Sequence, residues 1–369
     1  MANFIISHQH VEIPESITTV VLQNSLSLLY HQSLPVYRPT PLVSLPWLEK
    51  FSGVGRILIK DESHRFGLNA FKGLGASYAI HTLLQRNSNI NAFCTATDGN
   101  HGRAVAWAAR QAGRKAYVFV PEITTQQRIN AIQNEGATVV KVSGDYDLTC
   151  RSAEEQSTRN GWTLLQDTAW EGYEEIPALI MAGYLTMYQE AQEQMEDQMV
   201  RNPDVIFLQA GVGSWAASAL WYYGFGKTGT RPKMVIVEPE ESNGIFTSVS
   251  TGMRTLPTGS GKTMMAGLNC GIPSLTAWPF IQSLADAVIT ISESEVAQAM
   301  KMLYHSEPSI VSGESGAAGI AGFMAVSTLP EMEPLRRFLD LNKDSTVLLF
   351  STEGATDQLN FDKVVTNFR

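Results

Sequence analysis

The chain has 369 residues, of which 44% are hydrophobic and 17% charged, and its formal net charge is −9. This composition suits a globular protein with room for two compact domains sharing a cleft, and it excludes a disordered chain. No basic run and no ladder of Lys or Arg interleaved with aromatics occurs, so nucleic acid is not an expected partner.

Cys94, Cys150 and Cys270 are too few and too scattered for a disulfide framework, and none forms a Cys-x-x-Cys pair. Free thiols and no metal site are expected; His8 and His10 lie close together but in a terminal arm. No apolar run reaches the roughly 20 residues that cross a bilayer, and residues 1–11 lack the basic and apolar blocks of a signal peptide. A cytoplasmic protein without a membrane partner is the expectation.

In chain order, Pro35, Pro39 and Pro41 stiffen an N-terminal arm. Residues 56–61 read as a short strand, followed by a helix through Tyr78, Ala79 and Leu83. Strands are then predicted at 91–95, 116–120, 138–142 and 162–166, with helices at 102–112 and 126–135. A long helix covers about 176–199 and is stopped by Asn202-Pro203. Apolar, β-branched runs at 204–209, 233–237, 287–291 and 346–351 read as strands buried on both faces. Strand–helix alternation at this spacing predicts an α/β protein of two open, twisted parallel sheets with flanking helices. The expected division is a small domain of residues 65–190 and a large domain of residues 1–64 plus 191–369.

Lys72 stands after Phe71 and before the small residues Gly73, Gly75 and Ala76. Two glycine-rich elements follow, Asp98-Gly99-Asn100-His101-Gly102 and Gly211-Val212-Gly213-Ser214. The second joins a predicted strand to an alanine-rich helix, a setting in which backbone N–H groups converge on phosphate. Taken alone it is equally an ordinary tight turn. Together with a lysine set among small residues, it points to an amine that forms an imine with a planar phosphorylated aldehyde, namely pyridoxal 5'-phosphate. Ser351 ends an apolar strand and is a candidate to face a ring nitrogen, or simply to cap the strand.

Gly259-Ser260-Gly261-Lys262-Thr263 mimics the end of a nucleotide P-loop. Leu256 replaces the leading glycine, and the preceding segment is turn-like, so a surface loop near the cleft is the preferred reading.

These residues resemble diaminopropionate ammonia-lyase, a family of the tryptophan-synthase-β-like (fold type II) pyridoxal-phosphate enzymes. The similar stretches include residues 60–63, 65–76, 96–103, 166–173, 209–213, 237–239, 265–268, 312–316 and 351–354, which together span nearly the whole chain. Residues 250–262 diverge, and the N-terminal region is shorter than the family pattern leads one to expect. The resemblance implies that Lys72 carries the cofactor and that Asn100 meets its phenolic oxygen. It further implies that Gly211, Val212, Gly213 and Ser214 hold the phosphate, that Ser351 faces the ring nitrogen, and that Asp98 and Asp167 are active-site carboxylates. The implied reaction is elimination of ammonia from either enantiomer of 2,3-diaminopropionate, by a homodimer.

The proposed substrate carries a cationic β-amine, so a nearby carboxylate suits both its binding and the proton its leaving group needs. Related dehydratases resemble this chain but have alanine where Asp98 stands, since loss of water needs no anion there. Asp98 also suits a plain loop role, hydrogen-bonded to backbone N–H groups. His101 is expected to pack behind the cofactor and hydrogen-bond locally; Glu314 receives no role. The rivals are a hydroxy-amino-acid dehydratase, a lyase for N-substituted diaminopropionates, and a non-catalytic cofactor binder.

Overall fold

The computed structural model describes residues 3–7, 11–97, 99–144, 146–225 and 230–367. Asp98, His8 and His10 therefore lie outside the described residues. The strands are β1 (Phe4–Ile6), β2 (Leu42–Ser44), β3 (Arg56–Asp61), β4 (Ala92–Ala96), β5 (Lys115–Pro121) and β6 (Thr138–Val142). They continue with β7 (Thr163–Leu164), β8 (Val205–Gln209), β9 (Lys233–Pro239), β10 (Ala287–Ile291) and β11 (Thr346–Ser351).

Among the described residues these form two sheets. One has seven strands in the order β1-β10-β9-β8-β11-β3-β2, and the other has four in the order β6-β5-β4-β7. The four-stranded sheet is parallel throughout. In the seven-stranded sheet only the edge pairs, β1 with β10 and β2 with β3, are antiparallel. Every residue of β4, β8, β10 and β11 is buried, as expected of strands covered by helices on both faces.

Three helices position the cleft. The helix Lys72–Arg86 packs on the long helix Glu175–Asp197 and on Asn100–Gln111. The first crossing is close because it is made of glycine. A Cβ on Gly183 would lie 2.5 Å from the Leu74 carbonyl oxygen, and one on Gly75 would lie 2.6 Å from the Tyr184 ring. Nothing larger than hydrogen fits between these two backbones.

The approach to Lys72 is held by a buried group of charges. Arg65 donates from Nε to Glu62 (2.7 Å) and from Nη1 and Nη2 to the two Glu190 oxygens (2.8 and 2.7 Å). Lys60 Nζ lies 2.8 Å from Glu190 Oε2 and donates to the Thr40 carbonyl. Two cations and two anions thus offset one another where water cannot reach, and the fixed guanidinium fork anchors the turn between β3 and the Lys72 helix. That turn bends sharply, with Phe66, Gly67 and Asn69 all at positive φ (53°, 73° and 54°).

The N-terminal helices Ile17–Gln23 and Ser27–Gln32, and the helix Tyr146–Asn160, have no counterpart in the sequence reading. Residues 250 and 251 close the helix Gly244–Thr251, where the sequence suggested a turn. No described helix is long and apolar enough to cross a membrane.

Candidate active site

Lys72 opens its helix at the point where the sharp turn delivers it. Its Nζ lies 2.5 Å from Asp167 Oδ2, and both side chains are mostly buried, at 20% and 16% exposed. Burial pushes the lysine down, but the charge and hydrogen bond of Asp167 more than reverse this and hold the amine protonated. Burial likewise pushes Asp167 up, while His101 and Lys72 together bring it well below the usual carboxylate range.

His101 presents its Nε2 to the Leu165 carbonyl at 2.8 Å, so Nε2 carries the hydrogen. Its Nδ1 is buried, has no hydrogen-bond partner, and lies 3.6 Å from Asp167 Oδ2. Burial lowers the imidazole's pKa, Asp167 opposes that and Lys72 reinforces it. The sequence reading expected a local hydrogen bond, but the partner is 64 positions away, and the contact with Asp167 adds a second neighbour.

The backbone carbonyl of Asp167 accepts from Ser214 Oγ at 2.8 Å, which joins the Lys72 pair to the glycine loop. This loop runs from the end of β8 into the helix Ser214–Gly224. Gly213 takes the helix N-cap at φ 90°, and no side chain caps the first turn, so its N–H groups remain for a ligand. Gly211 is required by crowding, since a Cβ there would come within 2.6 Å of Cys270 Sγ.

The circuit closes through β11. Gly211 neighbours the Gly267 carbonyl, and Gly267 N donates to Ser315 Oγ at 2.9 Å. Ser315 N donates to Glu353 Oε1 at 3.1 Å, and Asn100 Nδ2 donates to Glu353 Oε2. Glu353 in turn bridges Ala70, two residues before Lys72. Ser351 is fully buried and donates from Oγ to Ser312 Oγ at 2.8 Å. These contacts link Lys72, Asp167, Asn100 and the glycine loop to the C-terminal end of β11.

A pyridoxal-phosphate dependent enzyme model matches residues 34–347. Diaminopropionate ammonia-lyase of Escherichia coli (strain K12) is 41% identical over 363 residues, covering 93% of this chain and 91% of that protein. The Salmonella typhimurium enzyme is 39% identical over 369 residues, with the same coverage. The chain belongs to the diaminopropionate ammonia-lyase family. A crystal structure of the E. coli enzyme in complex with an aminoacrylate-PLP azomethine reaction intermediate aligns with TM-score 0.92 and 38% identity, covering 100% of this chain and 97% of that one. A tomato threonine deaminase shares the fold, with TM-score 0.80 at 20% identity.

The family cofactor is pyridoxal 5'-phosphate, and the residues present fit it. A lysine amine, an uncapped helix N-terminus reached through a glycine loop, and a buried serine at a strand end are groups that could meet its aldehyde, phosphate and ring. Nucleotide does not fit the Gly259–Thr263 segment. Gly261 N donates to the Glu241 carbonyl (2.7 Å) and Ser260 N to Glu241 Oε2 (2.8 Å), so those N–H groups already have partners.

Glu353 escaped the sequence reading because its partner Asn100 is 253 positions away. The only signal was its place two residues after Ser351. Glu314 is also buried and accepts from Asn360 Nδ2. Burial raises the pKa of both carboxyls, that of Glu353 to about 7 with Glu314 adding repulsion.

Proposed function

We propose that this chain eliminates ammonia from 2,3-diaminopropionate, giving 2-aminoacrylate that water converts to pyruvate and a second ammonia. The observation that carries the reading is the buried contact between Lys72 Nζ and Asp167 Oδ2, a protonated amine held by a carboxylate beside the glycine loop. When bound, pyridoxal phosphate supplies an electron-withdrawing ring that makes the α-proton of an amino acid acidic.

Lys72 holds the cofactor and, once displaced by substrate, takes the α-proton at Nζ. For its first task the amine must shed a proton, and Asp167 Oδ2 is the acceptor within reach. Once that proton has passed on to solvent, the regenerated carboxylate pairs with the β-ammonium of the substrate and governs the proton on the departing nitrogen. Asn100 meets the phenolic oxygen, Gly211 to Ser214 the phosphate, and Ser351 Oγ the ring nitrogen. A neutral hydroxyl there leaves that nitrogen unprotonated and favours prompt loss of the β-substituent over prolonged charge storage in the ring. We assign Asp98 to α-proton removal from the D enantiomer and Lys72 to the L enantiomer. The cleft divides a small domain of residues 65–190 from a large domain of residues 1–64 plus 191–369.

We further assign the working form to a cytoplasmic homodimer. The exposed Leu26 and Leu29 (63% and 65%) support a covered face. Product stoichiometry tests the function. Two ammonia per pyruvate from diaminopropionate is the expected result, with serine and threonine poor substrates; one ammonia per pyruvate, with serine or threonine preferred, would indicate a dehydratase.

A further inference from the structure

We propose that Glu353 is a positioning residue that sets which edge of the Asn100 carboxamide meets the cofactor. The inference rests on the assignment of Asn100 to the phenolic oxygen. Three observations carry it.

Glu353 is only 6% exposed, yet it forms no ion pair among the described residues. Its two oxygens accept from two different N–H groups, Ser315 N at Oε1 and Asn100 Nδ2 at Oε2. While ionised, a buried carboxylate that accepts twice fixes both donors, because neither oxygen then offers a hydrogen.

The Ser315 side of this arrangement cannot yield. Gly313 N donates to the Glu353 carbonyl at 2.9 Å, and a Cβ on Gly316 would lie 2.5 Å from that same oxygen. The loop is therefore seated directly on the end of β11, and Ser315 N always faces Oε1. All adjustment falls on Asn100, whose amide can turn about its last bond. The carboxylate holds the nitrogen of that amide towards Glu353 and leaves the second N–H and Oδ1 for a ligand.

Glu353 also connects the parts that must converge on the cofactor. Its backbone bridges Ala70, and Gly354 N donates to the Asn69 carbonyl at 2.9 Å, immediately ahead of Lys72. One residue thus registers the Lys72 approach, the loop at 312–316 and the start of the Asn100 helix.

Glutamine at this position separates the hypothesis from a packing role. Glu353→Gln keeps shape and volume but offers one acceptor and one donor. With Ser315 N holding the acceptor, the Gln amide must donate towards Asn100, which then turns to present Oδ1. The donor and acceptor edges seen by the phenolic oxygen are exchanged.

The experiment compares holoenzymes of wild type, Asn100→Ala, Glu353→Gln and the double variant, reading the visible cofactor band and cofactor affinity by titration of the apoprotein. Each single variant is expected to shift the band and to weaken cofactor binding roughly tenfold, the scale of one lost hydrogen bond to a charged group. The double variant is expected to match Asn100→Ala, because Glu353 acts only through that amide. A wild-type band in Glu353→Gln, or a Glu353→Gln effect undiminished beside Asn100→Ala, would overturn the proposal. If Asn100→Ala alone leaves the band in place, the Asn100 assignment falls first and takes this inference with it, while the lysine linkage still stands. Thermal melting of each apoprotein checks folding. If Glu353→Gln does not fold, Glu353→Asp withdraws the carboxylate by one methylene, and its band should move towards that of Asn100→Ala; an unmoved band overturns the proposal.

Discussion

Gly183→Ala sets two effects of opposite sign against each other. Alanine favours a helix interior over glycine by about 1 kcal/mol, so propensity alone predicts a more stable protein. Packing predicts the reverse. The added methyl would stand 2.5 Å from the Leu74 carbonyl oxygen and 2.7 Å from Gly75 Cα, whereas ordinary contact begins at 3.4 Å. These are backbone atoms, so no rotamer change relieves them. The Lys72 helix must move away from the long helix by about 0.9 Å, the difference between those distances. Overpacking of this kind costs about 1–3 kcal/mol or more, which exceeds the propensity gain. A net loss of up to about 2 kcal/mol is expected, and with it a fall in melting temperature of up to a few degrees. The functional loss should be larger. Leu74 is two residues from Lys72, and displacement of a reacting group by about 1 Å lowers turnover on the order of 100-fold. Thermal melting and steady-state kinetics on diaminopropionate read the two effects separately. A raised melting temperature with unchanged kcat/KM would refute the reasoning and mean that the two helices do not meet at this glycine.

Further outcomes are expected elsewhere. Glu190→Gln removes one anion from the buried group formed with Lys60, Glu62 and Arg65, leaving a net positive charge; a loss of about 3–5 kcal/mol is predicted by urea unfolding, and a loss below about 1 kcal/mol would contradict it. Asp98→Asn should impair turnover of the D isomer far more than the L isomer; equal losses would remove the assignment of a separate base to each. Glu238 is fully buried and accepts from Ile245 N and Phe246 N (2.9 and 2.7 Å), and burial pushes it from 4.5 up to about 8. The folded state therefore binds this proton more tightly than the unfolded state does. The resulting stability is complete below about pH 4.5 and is lost as pH rises through about 8. Melting temperatures of wild type and Glu238→Gln should accordingly diverge with pH across that window in favour of the variant, and a constant difference would show that Glu238 does not titrate there.

The strands were legible because burial on both faces demands unbroken apolar runs such as Ile57-Leu58-Ile59 and Val347-Leu348-Leu349-Phe350. Their order was not, since β11 lies between β8 and β3 through pairings between residues distant in the chain, which no local pattern encodes. The helix Tyr146–Asn160 was missed because its sequence, YDLTCRSAEEQSTRN, carries no apolar stripe of helical period. In the site, Lys72 and the glycine loop announce themselves by residue type. Their companions do not: Asp167 and Asn100 were reached through family resemblance, and Glu353 looks in the sequence like any surface glutamate. What distinguishes it is a burial and a pairing with Asn100 that exist only once β11 and the Asn100 helix are brought together.

The account stands or falls on the amine that takes the cofactor. Borohydride reduction of the protein after loading with pyridoxal phosphate, followed by peptide mapping, reads that site directly. The predicted result is one stable pyridoxyl group, on the peptide containing Lys72. A label on Lys60 or Lys262 instead, or no covalent label at all, would contradict it.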